Sequence, residues 1–395
     1  MTDCRSLYVH IPFCRSKCAY CDFNSYAGQG DLIPAYVDAL LREAAAWSET
    51  AVVGTPDTIY LGGGTPSLLS LAKVERLMAG LRGIFALAGD AEVSLEANPE
   101  SVDLAYLRGL REMGFNRLSI GVQSFNDREL RLLGRAHDAA TAETAYAAAR
   151  QAGFANVSLD LIFGLPRQRL TQWQRSLKKA LSLEPEHVSL YALTVEEETP
   201  LARRIAEGGS RAPDEDAQAE MYAWSEEALA VAGYEHYEIS NWARPSRRCR
   251  HNLTYWWNDP YLGLGAGAHS FLGRCRFANE KRPDVYIERV AGLTPSTAGT
   301  SGSLVDPAAM PQVAFIERLD SATALADAMI LGLRLTEGIP LKAFGQRFGT
   351  DLEGRYAGDI ADLSGLGLLE QVDGFLRLTA RGRLLANEAF QRFLP

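Results

Sequence analysis

The chain has 395 residues, with 40 Lys and Arg against 49 Asp and Glu, a formal net charge of −9. Hydrophobic residues make up 47% and charged residues 23%, which supports a large core and excludes disorder, collagen-like repeats and small disulfide scaffolds. The acidic balance argues against bulk electrostatic binding to nucleic acid or an anionic membrane.

The N-terminus, MTDCRSLYVHIPFC, has no basic segment followed by a long apolar one, so no signal peptide is expected. No apolar run approaches about 18 residues, so no transmembrane segment is expected either. The cytoplasm is the expected location.

Candidate strands are Leu7–Ile11, Thr58–Leu61, Glu92–Glu96, Arg117–Gly121, Asn156–Leu161 and His187–Leu190. Helical patterns at Ile33–Trp47, Leu71–Phe85, Leu104–Met113, Ala139–Ala152 and Trp173–Leu183 alternate with them. This rhythm implies right-handed βαβ units and a parallel sheet. Either a partial barrel or a doubly wound sheet satisfies it. The residues with chemical character follow the carboxyl ends of several different strands, which favours the barrel.

The first strand leads into Cys14, Cys18 and Cys21, three of the six cysteines within eight positions. In a long chain without a secretion signal, such a cluster points to metal ligation or redox chemistry. Zinc needs four ligands, and His10 could complete a Cys₃His set. An iron–sulfur cube on three thiolates would leave one iron open for a small ligand. Cys4, Cys249 and Cys275 read as free thiols.

Gly62–Ser67 (GGGTPS) follows the second strand. It reads as a tight turn or as bare backbone that lets a ligand approach. Glu96 ends the third strand, Gln123 follows the fourth, and Asp160 lies in the fifth. Each is a solvated polar group or a ligand acceptor. A carboxylate within an apolar strand needs a partner, and Arg135 is the candidate.

Residues 241–311 read as irregular connecting structure, with a Gly/Ser/Thr/Pro stretch at 292–303. Helices return from Ser321, followed by a hairpin over Gly365–Leu378 turning at Asp373-Gly374 and a helical end at Thr379–Phe393. This predicts a small winged-helix-like domain. Its eight basic and nine acidic residues favour packing or docking over DNA binding. The expected division is 1–240 for the barrel, 241–320 for the connection and 321–395 for the C-terminal domain.

The CxxxCxxC spacing after a strand resembles the radical S-adenosylmethionine (SAM) proteins. There the open iron of a [4Fe-4S] cluster chelates SAM. YVHIPFC, GGGTPS, EANPE, GVQSF, LGRAH and DLIFGLP together resemble the family of oxygen-independent coproporphyrinogen III oxidase and the related heme chaperones. The resemblance implies an α/β fold, a partial (β/α)6 radical SAM barrel with the winged-helix-like α+β domain behind it. It implies the cluster on Cys14, Cys18 and Cys21. It also implies SAM contacts at Tyr8, Tyr20, Gly63, Gly64, Thr65, Glu96, Gln123, Arg135 and Asp160. No residue is assigned a catalytic role.

Two departures point to the chaperones. Phe23 stands where the oxidase carries a further Cys, and only 13 residues precede Cys14. The segment Arg250–Trp257 also contains HNxxYW, which resembles the chaperones' heme-binding motif and implies His251 as a heme ligand. A loop His can ligate heme iron, and aromatic rings can cover a porphyrin face. Arg247, Arg248 and Arg250 are candidates for pairing with propionates. The implied partners are heme and apo-hemoproteins, including membrane-bound respiratory subunits, with no nucleic acid. The alternative is oxidative decarboxylation of coproporphyrinogen III.

Overall fold

The structure is a computed structural model that describes residues 4–49, 53–293 and 306–395. Six strands, β1 (Cys4–Ile11), β2 (Val53–Gly63), β3 (Glu92–Ala97), β4 (Arg117–Gln123), β5 (Val157–Phe163) and β6 (His187–Ala192), lie side by side and parallel. Between them run α1 (Ile33–Ser48), α2 (Leu71–Ile84), α3 (Leu104–Glu112), α4 (Asp127–Leu133), α5 (Ala139–Gln151) and α6 (Leu170–Ser182). The helix starts are capped as side-chain chemistry dictates: Asp103, Asn126 and Asp138 accept the free N–H groups of α3, α4 and α5.

Residue alternation along the strands explains the curvature. Leu7, Ile59, Val93, Leu118, Val157 and Val188 all point to the helical layer and are buried. Their strand neighbours point the other way and are mostly polar: Tyr8, Tyr60, Ser94, Ser119, Ser158 and Ser189. The register stacks these sets, pairing Tyr8 with Tyr60, Tyr60 with Ser94, and Ser119 with Ser158. A doubly wound sheet would need both faces apolar. One apolar and one polar face suit a sheet curled around a polar lumen, the expected α/β barrel.

The chain continues through α7 (Pro200–Ala206) and α8 (Glu215–Val231) to β7 (Glu235–Glu238) and β8 (Asn241–Ala243); β8 pairs antiparallel with β6, and β7 pairs antiparallel with β8 at the edge. Residues 241–311 depart from the expectation of irregular structure. They contain α9 (Arg250–Trp256), β9 (Leu262–Leu264), β10 (His269–Leu272), β11 (Cys275–Asn279) and α10 (Pro283–Ala291). The β9 strand pairs parallel to β1 and extends the main sheet beyond it. The β10 and β11 strands pair with β12 (Val313–Arg318) in a small antiparallel sheet. Most of the Gly/Ser/Thr/Pro stretch lies outside the described residues.

The C-terminal domain builds its own core around Leu325, Met329, Leu333, Leu363 and Leu376. It contains α11 (Ser321–Gly332) and α12 (Leu341–Phe348), and a sheet of β13 (Ile339–Pro340), β14 (Leu369–Val372) and β15 (Phe375–Leu378). The β14–β15 hairpin turns at Asp373 and Gly374, whose φ of 52° and 82° match the predicted two-residue turn. Arg347 donates to the carbonyls of Trp257 and Asn258 at 2.7 Å each, tying this domain to α9. No helix among the described residues is long and apolar enough to cross a membrane.

Candidate cofactor site at the barrel mouth

The carboxyl ends of β1 to β6 surround a cavity of ≈ 420 Å³. Cys14, Cys18 and Cys21 line it together with Tyr20, Gly63, Gly64, Thr65, Glu96, Gln123, Arg135 and Asp160, among others. Segments spread over about 150 residues of chain thus meet in one place. Tyr8 and His251 are not among the lining residues.

The cysteine loop is held by backbone bonds to distant segments. Ala19 N donates to Leu133 O at 2.9 Å, and Leu201 N donates to Ala19 O at 2.8 Å. Gly64 N and Thr65 N donate to Ile11 O and Phe13 O, zipping the glycine turn to the end of β1. Two thiols have polar neighbours. Thr65 Oγ1 donates to Cys14 Sγ at 3.5 Å, and Arg135 Nη1 donates to Cys18 Sγ at 3.5 Å. Asn98 links them: its Nδ2 donates to Thr65 Oγ1 at 3.1 Å, and its Oδ1 accepts Arg135 Nη2 at 2.6 Å. Burial pushes the Cys21 thiol pKa up.

The glycines have a reason nearer than ligand access. A Cβ on Gly63, at φ 111°, would lie 2.5 Å from the His10 ring, and one on Gly64 would lie 2.8 Å from Phe13 O. Their Cβ sides are therefore filled by the protein itself.

Glu96 and Asp160 are enclosed carboxyls. Glu96 Oε1 accepts the Tyr60 hydroxyl at 2.8 Å, and Oε2 accepts Gly63 N at 3.0 Å. Burial, with the Asp160 carboxylate near, pushes Glu96 up to about 7. Burial raises Asp160 as well, although Ser119 and Ser158 hydroxyls donate to it at 2.8 and 3.0 Å. Arg135 is not the partner expected for these carboxylates. Its guanidinium goes to Asn98, Gly121 O and Cys18. Gln123 lines the cavity with φ 64°, at a break in the β4–β5 register. That is strained for a non-glycine residue.

His10 does not join the cysteines. Its Nδ1 lies 3.0 Å from the Tyr8 hydroxyl and its Nε2 2.8 Å from Asn24 O. Among the described residues, no group of three or more His, Cys, Asp or Glu side chains is placed to hold a single metal ion. Three thiols lining one cavity with no His beside them suit a multi-iron cluster better than one tetrahedral Zn²⁺. The Arg135 Nε, buried without a partner, and the two enclosed carboxyls offer donor and acceptors to a polar cofactor beside it. The residues fit a cluster with SAM.

His251 lies in the helix α9, not in a loop, and is 1% exposed. Arg250 N and His251 N donate to the Glu92 carboxylate at 3.0 and 3.1 Å, fixing α9 across the amino end of the lumen. Both imidazole nitrogens are engaged: Nδ1 with Thr58 Oγ1 at 2.8 Å and Nε2 with the Tyr255 hydroxyl at 2.9 Å. Burial, with Arg117 near, pushes His251 down to about 3. Trp256 packs under the Arg334 guanidinium, and Trp257 is exposed. Arg248 already faces Glu235 and Glu337, Arg250 faces Asp90, and Arg247 is exposed.

Sequence reasoning missed Asn98, Tyr60 and the inward serines. Their signal was available as polar residues recurring at alternate positions of buried strands.

The radical SAM superfamily model matches residues 8–180, and the HemN C-terminal domain model matches residues 319–385. The chain is 38% identical over 393 residues to heme chaperone HemW of Bacillus subtilis, covering 99% of each chain. It is 39% identical over 391 residues to heme chaperone HemW of Mycobacterium tuberculosis, covering 98% of this chain and 94% of that one. Among solved structures, coproporphyrinogen III oxidase (HemN) of Escherichia coli superposes with a TM-score of 0.82 at 26% identity. That match covers 98% of this chain and 89% of the oxidase.

Proposed function

This chain belongs to the heme chaperone HemW family within the radical SAM superfamily, and on that premise we propose that it binds heme and delivers it to apo-hemoproteins. Superfamily membership implies a [4Fe-4S] cluster and SAM. Such a cluster supplies a reducing electron and an open iron that chelates SAM. Cys14, Cys18 and Cys21 are the proposed ligands. Gly63, Gly64, Thr65, Glu96, Gln123, Arg135 and Asp160, with Tyr20 from the same lining, would form the SAM cradle, and Tyr8, whose hydroxyl meets His10 Nδ1, would support it from outside the lining. The observation that carries the reading is end-to-end identity with the chaperones, together with three thiols and two enclosed carboxyls around one cavity.

His251 is the proposed heme ligand. Its use requires the Tyr255 hydroxyl to leave Nε2 and α9 to draw back from the lumen, so this heme site is one that opens. Membrane-bound respiratory subunits are the proposed recipients, and the cytoplasm is the proposed location. The oxidase reading is not favoured: likeness to the oxidase is lower in identity, and Phe23 replaces its further Cys.

An anaerobic hemin titration of the cluster-loaded chain, followed by Soret absorbance, tests the proposal. Saturable binding by the wild type, weakened in His251→Ala, is the expected result. No saturable binding by the wild type, with turnover of coproporphyrinogen III, would overturn it in favour of the oxidase.

A further inference from the structure

The Tyr60 ring occupies the middle of the lumen. It stacks on His251, with ring centroids 5.1 Å apart and planes 23° apart, and on Tyr8 at 6.3 Å and 26°. A Cβ on Gly62 would lie 3.0 Å from Tyr60 Cε1 and 3.1 Å from Tyr8 Cε2, so an edge of each ring lies close to the β2 backbone. The hydroxyl donates to Glu96 Oε1 at 2.8 Å, and the other oxygen of that carboxylate holds Gly63 N. Tyr8 and His251 also meet each other, with centroids 6.3 Å apart, so the three rings form a triangle. An aromatic side chain has only two torsions, and this cluster together with the hydroxyl bond to Glu96 holds both. The ring therefore carries displacement from one end to the other.

From this contact chain we infer that Tyr60 is a positioning residue joining the two ends of the lumen. It ties Glu96, on the SAM side, to His251, on the α9 side. The inference rests on the ligand roles proposed above for Glu96 and His251. When His251 leaves its stack to meet heme iron, Tyr60 loses its nearest ring neighbour and the Glu96 carboxylate loses its fixed place. Heme and SAM then oppose each other, and linkage makes the opposition reciprocal.

The test is a double-mutant cycle on SAM affinity, measured by anaerobic calorimetry on the cluster-loaded full chain. Tyr60→Phe keeps the ring and removes the hydroxyl, and it weakens SAM binding about tenfold. His251→Ala, or His251→Asn should the first fold poorly, weakens it about threefold. The double variant matches Tyr60→Phe alone, because the route to Glu96 is already cut. Fold damage by itself would not produce that non-additivity. Saturating hemin also weakens SAM binding in the wild type and has no such effect in Tyr60→Phe. Unchanged SAM affinity in Tyr60→Phe, or effects that simply multiply in the double variant, overturns the inference. A wild type that binds SAM but no hemin overturns the heme proposal, while the cycle still decides the role of Tyr60.

Discussion

The Glu43 carboxylate of α1 accepts the Gly265 N–H at 2.8 Å, with the carboxyl fully buried. Asn279 Nδ2, at 2.7 Å, Gln312 Nε2, at 3.2 Å, and the Tyr286 hydroxyl donate to the same group. One acidic side chain thus staples α1 to the segment that carries β9, β11 and α10. Glu43→Ala removes the acceptor of four buried donors, of which Asn279 Nδ2 keeps Gly265 O at 2.9 Å, and is expected to cost about 3 kcal/mol or more in urea unfolding.

Burial raises the Glu43 pKa above its ordinary value. Its contribution to stability is therefore fully present below the unfolded value, about 4.5, and is lost as pH rises through the folded value. The stability advantage of the wild type over Glu43→Gln is expected to be larger near pH 4.5 than near pH 7. Parallel pH curves for the two proteins would show that this carboxyl does not titrate during folding.

Gly63 has φ 111° and the His10 ring against its missing Cβ. Gly63→Ala is expected to destabilise by about 3 kcal/mol or more, from backbone strain and the clash together. Gly28, also at positive φ but with open space around it, serves as the control. Gly28→Ala should lower the melting temperature much less than Gly63→Ala does.

Cys18→Ala is expected to abolish retention of iron and sulfide after anaerobic reconstitution. Cys249→Ser and Cys275→Ser should keep both at wild-type content. The buried Cys249 thiol, pushed up to about 12, should also resist alkylation in the folded chain. Iron loss in either serine variant would show that the cluster draws on more than the triplet.

His251 is pushed down to about 3 in the folded chain, against an ordinary value of about 6.5. It stays neutral when folded and takes up a proton when unfolded, so its contribution is present above about pH 6.5. That contribution is lost as pH falls towards 3, at up to about 1.4 kcal/mol per pH unit. His251→Gln should show a shallower acid limb in urea unfolding between about pH 6.5 and 4. An unchanged limb would mean that the imidazole is accessible to protons in the native protein.

Much of the barrel was legible in residue order. Strand and helix periods are local, and α1 and β3 lie within a residue or two of their expected ends. The cysteine spacing and the Asp373-Gly374 turn are local as well. The β9 strand was not legible. Three residues in a glycine-rich run, Leu262–Leu264, carry no period, and their extended form comes from pairing with β1 some 250 positions away. The α9 segment failed for a related reason: its aromatic residues read as a loop cover, while the Glu92 carboxylate makes it a lumen floor.

Residue order carries the inventory of the site: three thiols, a glycine turn, two carboxyls and a guanidinium at strand ends, because each motif is contiguous. Only the folded chain decides which buried polar group meets which. Arg135 goes to Asn98 and Cys18 and not to a carboxylate, and His251 sits closed between Thr58 and Tyr255. The physical reason is desolvation. Each polar group enclosed by packing must find a partner among whatever residues the fold brings within reach, and those residues lie far away along the chain.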